Sequence, residues 1–349
     1  MGSNVSETQS TDREEEIHAW LTSAVGADYR MAPASGDASF RRYLRIFRKT
    51  STLILMDAPP GYEDCRPFVH AQRLLRGAGV NVPEIIDADL DRGLLLLGDL
   101  GRRSYLDALN GQNCEALYAD ALSSLERMQT GIPADQVTVY DQNKLNEELQ
   151  LFPDWFLKKH LSIEITDSLR QILENSFVKL IALCLEQPQV FVHRDYHSRN
   201  LMLVKSNNPG VLDFQDAVRG PATYDLVSLF RDAYIAWPAA RVDAWVRGYL
   251  HRIRVELDAL AKVDASQFVR WFDLTGVQRH IKVAGIFCRL WYRDRKPGYL
   301  RDIPLTLRYL TEIGAKYAET RAMADALRAL DVETRLDFAN ARVFAGEDK

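Results

Sequence analysis

Over residues 190–216 the chain reads VFVHRDYHSRNLMLVKSNNPGVLDFQD, and Asp195, Asn200 and Asp213 stand within it. Apolar runs at 190–192, 201–204 and 211–212 are interrupted by the polar stretch 193–200 and by the turn residues 206–210. That pattern predicts a loop between short strands with a hairpin behind it, which gathers the three oxygen-bearing side chains. Phosphoryl transfer needs such a set: one carboxylate to orient and deprotonate a hydroxyl, and an amide and a carboxylate to hold Mg²⁺ on a nucleoside triphosphate. Asp195 is therefore assigned as the base, and Asn200 and Asp213 as ligands of Mg²⁺, a hard cation suited to oxygen donors. His193 and His197 read as supports that hold the loop through their ring nitrogens. Asp225, expected at a helix start, is suited either to cap that helix or to brace the loop.

The spacing H-R-D-x₄-N followed by D-F matches the catalytic and metal loops of kinases. The elements around it must position a nucleotide as well. Ahead of the loop, small and turn-forming residues (Ser35, Gly36, Asp37, Ala38, Ser39) give way to an aromatic-rich strand through 43–47, with a partner strand at 52–56. A loop of this kind lays backbone N–H groups over phosphates, with Arg41 and Arg42 as charge partners. A helix is expected over 66–79, then strands at 82–86 and 93–97. At Gly98, Asp99 and Leu100 composition and period change, and the backbone of such a connector is suited to an adenine edge. Beyond it helical periodicity predominates, with helices expected over 106–128, 143–160, 168–185, 224–237, 239–253, 265–292, 303–317 and 322–330. The expected fold class is α+β and two-lobed: a small antiparallel-sheet lobe (1–98, with a helix over 14–25 and a polar, disordered 1–13) and a larger, mainly helical lobe (99–349) that carries the chemistry.

Bulk properties narrow the partners. A net charge of −4 and a pI near 6.0 give no overall basic footprint for nucleic acid or anionic lipid. No apolar run approaches the roughly 20 residues of a membrane span, and the N-terminus has no basic-then-apolar leader, so a cytoplasmic protein is expected. The four cysteines, Cys65, Cys114, Cys184 and Cys288, lack metal-ligand spacing and are expected to be reduced.

The second histidine narrows the reading. H-x-D-x-H-x-x-N at 193–200, with G-P-x-x-Y-D-L at 220–226 soon after the D-F, resembles the aminoglycoside phosphotransferase and choline kinase superfamily. A protein kinase would carry a long activation segment there. The segments 39–43 (SFRRY), 56–60 (MDAPP), 96–101 (LLGDLG), 213–217 (DFQDA) and 278–287 (QRHIKVAGIF) together resemble the bacterial anomeric kinases that phosphorylate N-acetylmuramate and N-acetylglucosamine at C1 in cell-wall recycling. The likeness spans roughly 34–310. It implies ATP and Mg²⁺ as cofactors, an amino sugar as the small-molecule partner, and a product of α-configuration; a monomer is expected. Two departures stand out. The strand 53–56 (LILM) lacks the lysine usual in the superfamily, and the following helix offers Phe68, Val69 and His70 in place of the glutamate that would pin it. The metal loop reads D-F-Q, and Gln215 takes a positive φ less cheaply than glycine, so one loop conformation is expected.

For the acceptor, an anionic lactyl group calls for paired donors and a sugar ring for an aromatic face. Arg279, Lys282 and Arg289 fall on one face of an expected helix; Tyr234 and Trp237 are possible platforms. A phosphotransferase for an aminoglycoside or choline is the alternative: those cationic acceptors want an acidic pocket, which the basic stretch 278–289 does not suggest. A catalytically silent binding protein is disfavoured by the intact Asp195, Asn200 and Asp213 set.

Overall fold

The computed structural model describes residues 3–35 and 41–347. The chain forms two compact units, Met1–Arg73 with Val82–Gly101, and Leu74–Asn81 with Arg102–Lys349.

In the first unit, helix α1 (Ser3–Val25) precedes strands β1 (Arg30–Ser35), β2 (Arg42–Phe47) and β3 (Thr52–Asp57). Helix α2 (Arg66–Gly77) then leads to β4 (Ile85–Asp89) and β5 (Leu94–Gly98). The sheet order is β1-β2-β3-β5-β4, antiparallel throughout. The leucine run of β5 is buried at Leu94, Leu95, Leu96 and Leu97, because consecutive residues of a strand point to opposite faces and both faces here are covered. One face meets α1: Ile17 and Leu21 pack with Ile46, Leu55, Leu94 and Leu96. Gly93 lies where β5 begins, at φ 67°, and a Cβ there would come within 1.9 Å of the Ala58 carbonyl oxygen. Only glycine suits that close approach.

Helix α1 corrects an expectation: the segment 1–13, read as disordered, is helical from Ser3 onward. No proline or glycine interrupts it, and Arg13 is anchored. Its guanidinium donates to Asp57 Oδ1 (3.1 and 2.7 Å) and to the Arg92 carbonyl (2.7 Å), while Arg42 donates to the other oxygen of Asp57. The fully buried Asp57 carboxylate thus takes two arginines, the pairing a buried charge requires. Strand β1 was not anticipated, since Pro33 and its small neighbours carry no alternating pattern.

The second unit holds α3 (Tyr105–Ala108), α4 (Cys114–Gly131), β6 (Thr138–Val139), α5 (Gln142–Leu151), α6 (Asp167–Glu186) and β7 (Gln189–Val192). It continues with β8 (Leu201–Met202), β9 (Gly210–Val211), β10 (Val218–Pro221), α7 (Tyr224–Phe230) and α8 (Ala239–Glu256). Helices α9 (Ala265–Asp294), α10 (Ile303–Gly314), α11 (Arg321–Ala329) and α12 (Val332–Glu347) complete it. Two small sheets, β6-β10-β7 and β8-β9, carry the loops of interest. The long α9, buried along most of its length, packs against α5, α6, α7, α8 and α10.

Several expected helices are cut differently. The stretch 106–128 breaks at Asn110-Gly111, where the two asparagine side chains cap backbone N–H groups (Asn110 N to Asn113 Oδ1, 2.8 Å; Gln112 N to Asn110 Oδ1, 2.9 Å). In 143–160 the helix widens to π-helical geometry from Phe152, beside Pro153, which has no N–H to continue the α-helical ladder. Helix α7 stops at Phe230, and α12 went unforeseen. All four cysteines are free and buried, and no helix among the described residues is long and apolar enough to cross a membrane.

A close approach between two helices of this unit yields a stability test. A Cβ on Gly285 of α9 would lie 2.6 Å from the Leu151 carbonyl carbon at the end of α5, whereas Gly248, exposed in the middle of α8, has nothing within 4 Å. Gly285→Ala is expected to destabilise by about 1–3 kcal/mol through overpacking, and Gly248→Ala to stabilise by up to about 1 kcal/mol through helix propensity. Urea unfolding followed by circular dichroism should move the two midpoints in opposite directions.

Candidate active site

The loop 193–200 leaves β7 and enters β8, and its path is set by one carboxylate. Asp225, buried in the first turn of α7, accepts the backbone N–H of His193 (2.7 Å) and of Arg194 (3.0 Å). These bonds hold Arg194 in the left-handed region at φ 77°, which turns the chain and presents Asp195. Of the two roles open to Asp225, the geometry is that of a brace. Burial pushes its carboxyl up to about 7, against the pull of those two N–H groups and of Arg279.

His193 ties the loop to the hairpin that leads to Asp213. Its Nε2 donates to the Leu212 carbonyl (2.9 Å), and its Nδ1 accepts from the Asp195 N–H (3.3 Å). Burial lowers its pKa to about 4, so the ring is neutral and fixed in one tautomer. Leu212 N in turn donates to the Asn200 carbonyl (2.9 Å), which sets Asp213 beside Asn200. The Asn200 amide nitrogen donates to the Asp195 carbonyl (3.0 Å) and to Asp213 Oδ2 (3.3 Å), so its Oδ1 faces the other way.

Strain in the metal loop falls on Asp213, at φ 62°, rather than on Gln215. Gln215 instead donates to Asp213 Oδ1 (2.7 Å). One amide oxygen and one carboxylate suit Mg²⁺, which takes few protein ligands and completes its shell with phosphate oxygens and water. Among the described residues there is no group of three or more histidine, cysteine, aspartate or glutamate side chains placed to hold a metal ion.

Asp195 keeps 36 % of its side chain open to solvent and stands among cations. The protein around it raises its pKa by desolvation, but Lys282, Arg279, His197 and Arg194 outweigh that and hold it well below the usual carboxylate range. The Arg279 guanidinium approaches Asp195 Oδ1 at 3.5 Å, and its NH1 is buried without a hydrogen-bond partner. Lys282 is buried, with Nζ 3.2 Å from the Tyr224 hydroxyl and 3.4 Å from Glu148. Arg289, half-buried two turns beyond Lys282, also has its Nε without a partner. All three stand along α9 as the spacing indicated, while His280 turns away, bonded to the Arg231 carbonyl (2.9 Å) and stacked on Tyr309.

Sequence reasoning passed over Glu148 and Tyr140. Glu148 accepts from the Tyr140 hydroxyl and from Arg194, and stands at the centre of this charged group. Asp232 was also missed: just beyond α7, it takes the Ser198 N–H (2.9 Å) and the Tyr234 N–H (3.1 Å) and so holds the second half of the loop. The two proposed platforms part company. Tyr234 stays by the loop, edge-on to His197, with the Arg199 guanidinium 3.6 Å above its ring. Trp237 belongs to an aromatic cluster of α4 and α8, its Nε1 donating to Tyr118 (2.8 Å) and its ring edge-on to Trp245.

In the first unit the nucleotide candidates are partly committed elsewhere. Gly36, Asp37, Ala38 and Ser39 lie outside the described residues; Ser35 ends β1. Arg41 binds Glu63 (3.2 Å) and Arg42 binds Asp57, so neither is a bare cation. The Gly98 N–H donates to Glu84 (2.8 Å), and Asp99 is locked on Arg45 (2.8 Å), which also reaches the Gly101 carbonyl. Leu100 follows, half-buried. Asp99 therefore shapes the connector through its side chain.

Comparison with known proteins follows the same line. Residues 30–263 match the phosphotransferase enzyme family. An N-acetylmuramate/N-acetylglucosamine kinase of Pseudomonas aeruginosa is 44% identical, with 91% of this chain and 97% of that protein aligned. One of the same name from Neisseria meningitidis is 41% identical over 88% of this chain and 92% of its own. Among solved structures, a choline kinase from Streptococcus pneumoniae superposes with a TM-score of 0.61 at 11% identity, covering 87% of this chain and 99% of that one. An aminoglycoside phosphotransferase with bound ADP gives 0.55 at 13% identity, covering 85% and 98%. These structures carry the fold, the two-lobed kinase-like α+β architecture expected from the sequence, while the family match and the relatives place this chain in the phosphotransferase enzyme family.

Proposed function

We propose that this phosphotransferase moves the γ-phosphoryl group of ATP to the anomeric hydroxyl of N-acetylmuramate or N-acetylglucosamine. The observation that carries the sugar assignment is the 44% identity, over nearly the whole chain, to a kinase named for those two sugars. The side chains around Asp195 support it: Lys282, Arg279, His197 and Arg194 all bear on its carboxylate. Cations placed this way suit an anionic acceptor such as a lactyl sugar better than the cations choline and aminoglycosides. Arg279 NH1 and Arg289 Nε, both lacking partners, are the donors suited to the acceptor's oxygens.

Asp195 aims the hydroxyl through its open oxygen and collects the proton late, as a carboxylate held so acidic would do. Phosphoryl transfer is largely dissociative and asks little of a base early. Asn200 and Asp213 would hold Mg²⁺, which supplies charge neutralisation on the phosphates when bound. Gln215 and the Asn200 amide fix the Asp213 carboxylate for that purpose.

Asp195→Asn keeps shape and loses charge, so kcat is expected to fall on the order of 10²–10⁴-fold with nucleotide binding retained. Asp213→Ala is expected to abolish turnover with the fold intact by circular dichroism; near-normal activity in saturating Mg²⁺ would remove Asp213 from the metal site. Release of ADP against a panel of amino sugars, choline and aminoglycosides should favour the reducing N-acetyl sugars. Phosphorus and proton NMR of the product should show an α-configured sugar 1-phosphate; a 6-phosphate would sink the anomeric assignment.

A further inference from the structure

Arg199 is the cation of the catalytic loop that points outward: its side chain keeps 42 % of its surface in solvent, while Arg194 of the same loop is largely buried against Glu148. The Arg199 guanidinium lies 3.6 Å from the centre of the Tyr234 ring. Tyr234 is stacked on Phe287 of α9 (centroids 6.3 Å apart, planes at 26°), and Phe287 meets Tyr299 in the 3₁₀ segment Pro297–Asp302 that joins α9 to α10. That segment ends in Asp302, whose Oδ2 stands 3.4 Å from Arg199 NH2. A guanidinium laid flat on a ring directs its N–H bonds sideways, in its own plane. The Tyr234 ring therefore carries a cation where the sequence suggested a sugar. The seat adjoins the reacting group: His197, edge-on to Tyr234 at 5.3 Å, and Arg279, 3.5 Å from Asp195, both bear on the Asp195 carboxylate, and the charge of Arg279 is also felt at Tyr234.

We propose that Arg199 is the specificity-determining residue for an anionic acceptor: it takes the lactyl carboxylate of N-acetylmuramate, and Asp302 holds the same guanidinium when the acceptor is the neutral N-acetylglucosamine. The inference rests on the reading of function given above. The two sugars differ only at C3, where one carries a lactyl ether and the other a hydroxyl, two carbons from the anomeric centre. A site that serves both meets opposite demands. A planar guanidinium pairs well with the lactyl carboxylate. The neutral sugar, however, would leave that cation desolvated and unpaired, which costs more than the contact gains. A carboxylate of the protein's own removes the penalty, provided that it lets go readily. A single contact at 3.4 Å in a partly exposed pair contributes little to stability, so exchanging it costs little. Arg45 shows the opposite design: it donates to both oxygens of Asp99 (2.8 and 3.1 Å) in a nearly buried pair that is built to stay closed.

Release of ADP with each sugar gives the ratio of kcat/KM for N-acetylmuramate to that for N-acetylglucosamine, and general damage to the loop cancels from it. Arg199→Met is expected to lower the ratio by about 10- to 10²-fold, the range that a hydrogen bond to a charged group supplies, chiefly through KM for N-acetylmuramate. Arg199→Lys, which keeps the charge and loses the planar fork, should fall between wild type and Arg199→Met. Asp302→Asn is expected to raise the ratio by about three- to tenfold, because no carboxylate of the protein then competes for the guanidinium. A ratio in Arg199→Met within about twofold of wild type, or no rise in Asp302→Asn, overturns the proposal. If Arg199→Met does not fold by circular dichroism, Asp302→Asn decides alone: a rise supports the proposal and no rise overturns it. Wild-type enzyme active on only one of the two sugars also overturns it. Wild type active on neither overturns the functional reading itself, whereas wild type active on both, with a ratio that no variant moves, overturns only the roles of Arg199 and Asp302.

Discussion

Two backbone N–H groups, those of His193 and Arg194, end on one buried carboxylate, Asp225, and the active-site geometry follows from that convergence. A carboxylate without water is tolerated only when its lone pairs are met, and here they are met by a backbone that must turn sharply to do so. The turn places Arg194 in the left-handed region and lets Asp195 face outward. From the same point His193 reaches across to the Leu212 carbonyl, and Asn200 is bonded to both Leu212 and Asp213, so the loop and the hairpin are joined at several points. Asp225 itself is positioned by α7, which packs on the buried length of α9. The Asp195 carboxylate thus takes its position from the central helix of its unit, through Asp225 and α7.

Much of this was legible in the residues. The leucines of β5 announced a strand covered on both sides, and the H-R-D-x₄-N and D-F spacing brought Asp195, Asn200 and Asp213 together, as the structure does. The reading weakened where a residue's role depends on partners distant in sequence. Glu148 sits 46 residues from Arg194 and is unremarkable on an amphipathic helix until the fold brings α9 against it. Trp237 looked as fit for a sugar as Tyr234, and only packing against Tyr118 and Trp245 separates them. Arg41 and Arg42 looked like spare charge because nothing local reveals Glu63 or Asp57 as their partners. The disorder expected of 1–13 failed for a related reason: polar composition alone does not report an arginine clamped by a carboxylate 44 residues away.

The assignment of residues 74–81 to the second unit reaches beyond the active site. The Asn81 carbonyl accepts the Val211 N–H at 2.7 Å, and Asn81 bridges Gly210, so a piece of chain from before β4 supports the hairpin that ends at Asp213. Asn81 also donates to the Asn207 carbonyl, and Asn207 to that of Gly79. The second unit is therefore not one continuous stretch of chain. A ribosome making this protein completes the hairpin's support more than a hundred residues before the hairpin itself exists, and no single cut can release the helical unit whole. Grafting, permuting or dissecting the chain has to carry these few residues with the larger part, or the hairpin that ends at Asp213 loses the support of Asn81.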